Sequence, residues 1–158
     1  ILLVEDDPST SALLGRWLER MGATVVETAS VVEAEHALAV DTFELIISDV
    51  HLPGNSRLEW VERVLKRASA PPPLLLLSGN PELETALKAA NLPVAGYLVK
   101  PPDFMALGNL LHHLIDDYRQ RCRLRCVSIR NMFVAVRLSL TQTASMPVSS
   151  DSRRARRR

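Results

Sequence analysis

Leu45-Ile46-Ile47-Ser48-Asp49-Val50-His51-Leu52-Pro53-Gly54 decides the fold. A short apolar run ends in a carboxylate, and Pro53-Gly54 turns the chain straight afterwards. This pattern predicts a buried β-strand that delivers Asp49 to the rim of a sheet. In open α/β sheets, ligands and reacting groups gather at that rim. Two further stretches end the same way. Ile1-Leu2-Leu3-Val4 runs into Glu5, Asp6 and Asp7, and Gly96-Tyr97-Leu98-Val99 runs into Lys100.

Between these strands apolar residues recur at helical spacing. Asp7-Pro8 reads as an N-cap with proline at the first helical position. Leu13, Leu14, Trp17, Leu18 and Met21 then form an apolar stripe that Gly22 stops. Ala23 to Thr28 predicts a second strand. Ser30 and Glu33 form a capping box for a second helix ending near Val40. A third helix over 58–68 turns Leu58, Val61, Val64 and Leu65 inward. Prolines 71–73 keep the chain extended before the strand Leu74-Leu75-Leu76-Leu77. Ser78-Gly79-Asn80-Pro81 opens a fourth helix carrying Leu83, Leu87 and Ala90. Val94 to Val99 is the fifth strand. Asp103 caps a fifth helix that runs to about Tyr118.

Five β-α repeats in about 118 residues, with near-continuously apolar strands, predict a parallel sheet covered on both faces. We expect a three-layer, doubly wound, flavodoxin-like α/β domain of strand order 2-1-3-4-5 over residues 1–118. That order sets strands 1 and 3 side by side at the switch point. Their ends carry Glu5, Asp6 and Asp49.

Charge divides the chain at the same place. Residues 1–118 hold eight Lys/Arg against seventeen Asp/Glu, and residues 119–158 hold eleven Arg against the single acid Asp151. An acidic first part argues against a nucleic-acid groove there and suits a magnesium-binding, phosphate-handling module. Residues 119–158 are expected to be a basic linker or tail, partly disordered. Within it, Val127 to Leu140 fits a helix or a strand, and Ser145 to Arg158 reads as disordered. The tail is open to three readings: an arm for nucleic acid or an acidic partner, a linker remnant, or a segment folded onto the acidic domain. No apolar run approaches the roughly 20 residues of a membrane span. Cys122 and Cys126 form no disulfide framework, so the expected setting is cytoplasmic. The chain opens in a strand without Met, which suggests a trimmed N-terminus.

Clustered carboxylates at one rim repel each other, and a hard divalent cation with oxygen ligands resolves the repulsion. A cation and the Lys100 ammonium around one carboxylate make a receptor for a phosphoryl group. Ser78 offers a hydroxyl to one phosphoryl oxygen, and Asp49 can act as the nucleophile. Asp7 is better read as a helix cap. On physics alone Tyr97 is a packing residue. His51, His112 and His113 lack convincing partners for a metal and read as rim or surface residues.

Taken together, Ile1–Asp7, Ser48–Gly54, Leu77-Ser78-Gly79 and Tyr97-Leu98-Val99-Lys100-Pro101 resemble the receiver domain of two-component response regulators, over about residues 1–118. The resemblance implies that Asp49 takes a phosphoryl group from a sensor histidine kinase or a phosphotransfer protein. It implies Mg²⁺ held by Asp6 and Asp49 directly, by Glu5 largely through water, and by the His51 carbonyl. Lys100 would pair with a phosphoryl oxygen, Ser78 would move to bond another, and Tyr97 would swing inward as the switch aromatic. The Lys100–Pro101 bond would be cis. The face of helix 4, strand 5 and helix 5 would change partner and could form a homodimer. Nucleic acid would be reached through an output domain or the basic tail. Enzymatic chemistry would be limited to self-phosphorylation and autodephosphorylation.

One departure is Arg57, where the family usually has Gly. His51 and Asn80 flank the path of the dephosphorylating water. The alternative function is a phosphorylation-independent interaction module with a vestigial site. An aspartyl-nucleophile phosphohydrolase ranks lower, because His51 stands where that chemistry commonly has a second acid.

Overall fold

The computed structural model describes residues 1–53, 58–67, 70–80 and 83–143, without the side chains of residues 84 and 127–143. Gly54, Arg57, Pro81 and the stretch 145–158 read as disordered lie outside the described residues. Backbone contacts divide the chain into one unit, Ile1–Arg121, and a second from Cys122 onward.

The first unit alternates strand and helix: β1 Leu2–Val4, α1 Pro8–Arg20, β2 Val26–Thr28, α2 Val31–Val40, β3 Ile46–Asp49, α3 Glu59–Arg67, β4 Leu74–Ser78, α4 Leu83–Ala90 and β5 Gly96–Val99. The helix α5, Phe104–Thr143, follows. All five strands are parallel, in the order β2-β1-β3-β4-β5. The expected topology is therefore present. β2 is shorter than the expected 23–28 because it pairs with β1 alone, and β1 offers just three residues, starting at Leu2↔Val26.

Alternation along the strands sorts the core into two layers. Leu2, Val4, Ile46, Leu74 and Leu76 meet Val31 and Ala34 of α2, Trp60, Val61 and Val64 of α3, and Ala89 of α4. Leu3, Ile47, Leu75 and Leu77 meet Leu14 and Leu18 of α1 with Leu107 and Leu111 of α5. Each fully buried Leu or Ile contributes about 1.5–3 kcal/mol of apolar transfer energy.

Local signals act as their chemistry requires. The Asp7 carboxylate accepts from the Thr10 amide at 2.7 Å, and Pro8 opens α1. Gly22 ends that helix at φ +87°, a left-handed conformation glycine adopts without Cβ strain. Ser30 accepts from the Glu33 amide at 3.3 Å, and Asp103 accepts from the Met105 and Ala106 amides at 2.8 and 3.1 Å. Leu58 enters α3 at φ 63°, and its side chain is buried. A left-handed Leu costs roughly 1–2 kcal/mol, which that burial offsets.

Three expectations need correction. Leu13 is 54% exposed and stands outside the α1 stripe, where the small Ser11 and Gly15 are buried instead. In α4, Leu83 and Leu87 face solvent and Ala89 is the core residue. The fifth helix does not end near Tyr118. Its helical backbone runs to Thr143, so the 127–140 stretch is helical and not a strand. No helix among the described residues is long and apolar enough to cross a membrane.

Candidate functional site: a carboxylate cluster at the strand ends

Parallel register brings the expected residues to one rim. Val4 pairs with Ser48, Asp49 with Leu77, and Ser78 with Val99. Glu5 and Asp6 therefore leave β1 beside Asp49, while Lys100 leaves β5 beside Ser78. The Lys100 amide donates to the Ser78 carbonyl at 2.8 Å, which fixes where the lysine departs from the sheet. The Lys100–Pro101 peptide bond is cis, as expected.

Carboxylate oxygens of Glu5, Asp6 and Asp49 all lie within 4.8 Å of one another. Glu5 and Asp49 are buried, and Asp6 is exposed. The Lys100 ammonium bridges the two buried acids, donating to Glu5 Oε2 at 2.5 Å and to Asp49 Oδ2 at 2.7 Å. Burial raises the Glu5 carboxyl above its ordinary range. Lys100 pulls it back, and the charge on Asp49 raises it further. For Lys100, burial works against the ammonium, but the hydrogen bonds to Asp49 and Glu5 outweigh it and leave the pKa raised. The lysine is thus a firm cation. Next along the chain, Asp7 has its carboxyl lowered by the Thr10 bonds of its capping role, which supports reading it apart from the cluster.

The other oxygen of Asp49 is also engaged, since the His51 amide donates to Oδ1 at 2.9 Å. Ser78 is fully buried, with its hydroxyl 3.5 Å from His51 Nε2. The Tyr97 ring packs against the α2–α4 side of the core, and its buried hydroxyl has no hydrogen-bond partner among the described residues.

Three carboxylates at this spacing are a hard, oxygen-only donor set, the chemistry that Mg²⁺ prefers. They are the group suited to a metal among the described residues, and His112, His113, Cys122 and Cys126 are not part of it. The acids and Lys100 are brought together as the sequence predicts, and Ser78 stands at the same rim. His51 and Asn80 stand together as the resemblance implies, but the direct contact of the His51 ring was not foreseen. Its Nε2 lies 3.2 Å from the Asn80 carbonyl, which is 29 residues away, and no local pattern signals such a pair.

A strand-end acid cluster bridged by a lysine, on a 2-1-3-4-5 parallel sheet, defines a receiver-type α/β domain. The description of the response regulator receiver domain matches residues 1–112, and the chain belongs to that family. The transcriptional activator protein IrlR of Burkholderia pseudomallei is 35% identical over 107 residues, which is 68% of this chain and 46% of IrlR. The Regulator of RpoS of Escherichia coli is 34% identical over 101 residues, 64% of this chain and 30% of that protein. The chain thus spans less than half the length of these curated relatives. Among solved structures, the signal receiver domain of an HD domain-containing protein from Pseudomonas fluorescens superposes with a TM-score of 0.70 at 26% identity, over 75% of this chain and 95% of that one. Chemotaxis response regulator CheY4 of Vibrio cholerae gives 0.64 at 27% identity, over 72% and 95%.

Proposed function

We propose that the chain is a phosphoacceptor switch of a two-component phosphorelay, with Asp49 as the acceptor. The observation that carries this reading is the Lys100 ammonium held between Asp49 and Glu5 at a rim of three carboxylates. The Asp49 carboxylate attacks the phosphorus of a phosphohistidine on a sensor kinase or phosphotransfer protein. The P–N bond breaks, and its electron pair returns to the imidazole. That ring leaves neutral because its other nitrogen already carries a proton. Lys100 stays beside the acceptor and pairs with one phosphoryl oxygen, and the Ser78 hydroxyl turns to another. Glu5, Asp6, Asp49 and the His51 carbonyl would hold Mg²⁺, which when bound neutralises charge on the phosphoryl oxygens.

The readout is a surface. Tyr97 follows Ser78, and the α4–β5–α5 face changes shape and partner. Leu83 of α4 and Met105 of α5 are 75% and 79% exposed, so these two helices offer a protein partner or a second copy apolar ground. Nucleic acid is reached through an output domain or the basic segment. The setting is the cytoplasm. Covalent chemistry is limited to taking and losing this one phosphoryl group.

The test is to incubate the chain with Mg²⁺ and a small-molecule phosphodonor. A base-labile phosphoryl adduct is expected, and Asp49→Asn should abolish it. If the intact protein takes up no label, a phosphorylation-independent interaction module is the better account.

A further inference from the structure

His51 is tied on three sides. Its amide donates to Asp49 Oδ1 at 2.9 Å. Its ring Nε2 lies 3.2 Å from the Asn80 carbonyl oxygen and 3.5 Å from Ser78 Oγ. A carbonyl can only accept, so Nε2 carries a proton whenever it bonds Asn80. Ser78 Oγ is then the second acceptor near that same N–H. Ser78 is also held through its backbone, where its carbonyl accepts from the Lys100 amide at 2.8 Å. The backbone tie leaves the hydroxyl free to turn, whereas the imidazole contact opposes that turn.

We infer that the His51 side chain is a positioning residue, strapping the turn after β4 to the loop after β3 and holding the Ser78 hydroxyl in the resting arrangement. The inference rests on the proposed role of Ser78 as the group that moves. A phosphoryl oxygen that draws Ser78 toward Asp49 must first take the hydroxyl from the imidazole. The ring therefore sets how much of the signalling arrangement exists before any phosphoryl group arrives. Losing this long contact, the weaker arm of a shared N–H, raises that minor population about two- to threefold.

The experiment uses the full chain carrying Asp49→Asn, without phosphodonor, so that it does not depend on phosphotransfer. Relaxation-dispersion NMR at the Gly79 and Asn80 amides reads the minor population on the microsecond-to-millisecond scale. His51→Ala and His51→Phe should each raise it by the stated factor. His51→Gln places an N–H the same number of bonds from its Cα and should restore it. Imidazole ¹⁵N shifts should place the ring proton on Nε2. Unchanged dispersion in His51→Ala overturns the strap. So does a His51→Phe protein that behaves like the parent, since ring bulk would then suffice, or a ring proton found on Nδ1. Phosphodonor labelling of the chain with Asp49 intact is read separately. Label with no dispersion change in the His51 variants removes the strap alone, and no label removes the acceptor reading alone.

Discussion

Lys100 Nζ stands 2.7 Å from Asp49 Oδ2, although 51 residues separate them in sequence. Both side chains are largely buried. Deleting the ammonium leaves Glu5 and Asp49 facing each other without a counter-ion. Lys100→Met should therefore lower stability in chelator by about 2 kcal/mol, less than a fully buried pair loses because water reaches part of this one. Added Mg²⁺ should recover much of the loss. Urea titrations with and without the ion check both statements, and a variant as stable as the parent in chelator would contradict them.

Two neighbouring acids should separate by function. Asp6 belongs to the carboxylate group, and Asp7 caps α1. Asp6→Asn should weaken Mg²⁺ binding at least about tenfold. Asp7→Asn should leave binding near the parent value, because Asn remains a good cap, while Asp7→Ala should lower the melting temperature without weakening Mg²⁺ binding. Calorimetric titration and thermal melts measure the two effects.

The pair Glu44–Arg119 gives a pH signature. Arg119 hydrogen-bonds the Glu44 carboxyl and holds it below the usual range. A depressed folded pKa contributes stability above the unfolded pKa and loses it as pH falls through the folded one. Both side chains are about half exposed, so solvent screening keeps the contribution at neutral pH small. The stability gap between parent and Glu44→Gln should close on acidification and shrink in high salt. A gap that widens in acid would contradict the assignment.

Core and surface leucines should also part. Leu76→Ala, in a strand buried along its whole length, should cost about 2–5 kcal/mol. Leu83→Ala, on the exposed side of α4, should change stability by less than about 0.5 kcal/mol and instead weaken association through the α4–β5–α5 face. Denaturant melts set beside sedimentation of the phosphodonor-treated protein make the comparison.

Much of this was readable from residue order because strand ends are marked twice, by a change in hydropathy and by a charged residue. Asp49, Glu5, Asp6 and Lys100 all carry that double mark. Trp60 carries none. It lies between Glu59 and Val61 with Glu62 beyond, and its burial follows from three-dimensional packing of α3 on the sheet. Leu13 fitted the helical period but sits at the margin of the stripe, where more than half of it stays in solvent. The continuation of α5 past Tyr118 was hidden by alternating arginines and cysteines, which blur an amphipathic period. The resemblance set His51 and Asn80 beside one path, but the direct contact of the ring with the Asn80 carbonyl, on another loop, was not readable.

The Tyr97 hydroxyl has one more implication. An enclosed oxygen without a partner among the described residues forfeits about 1–3 kcal/mol relative to a satisfied one. On the proposed switch reading, contacts of the ring hold it inside while hydration of the oxygen draws it out. Tyr97→Phe removes the oxygen and keeps the ring contacts, so it should favour the inward ring with or without phosphodonor.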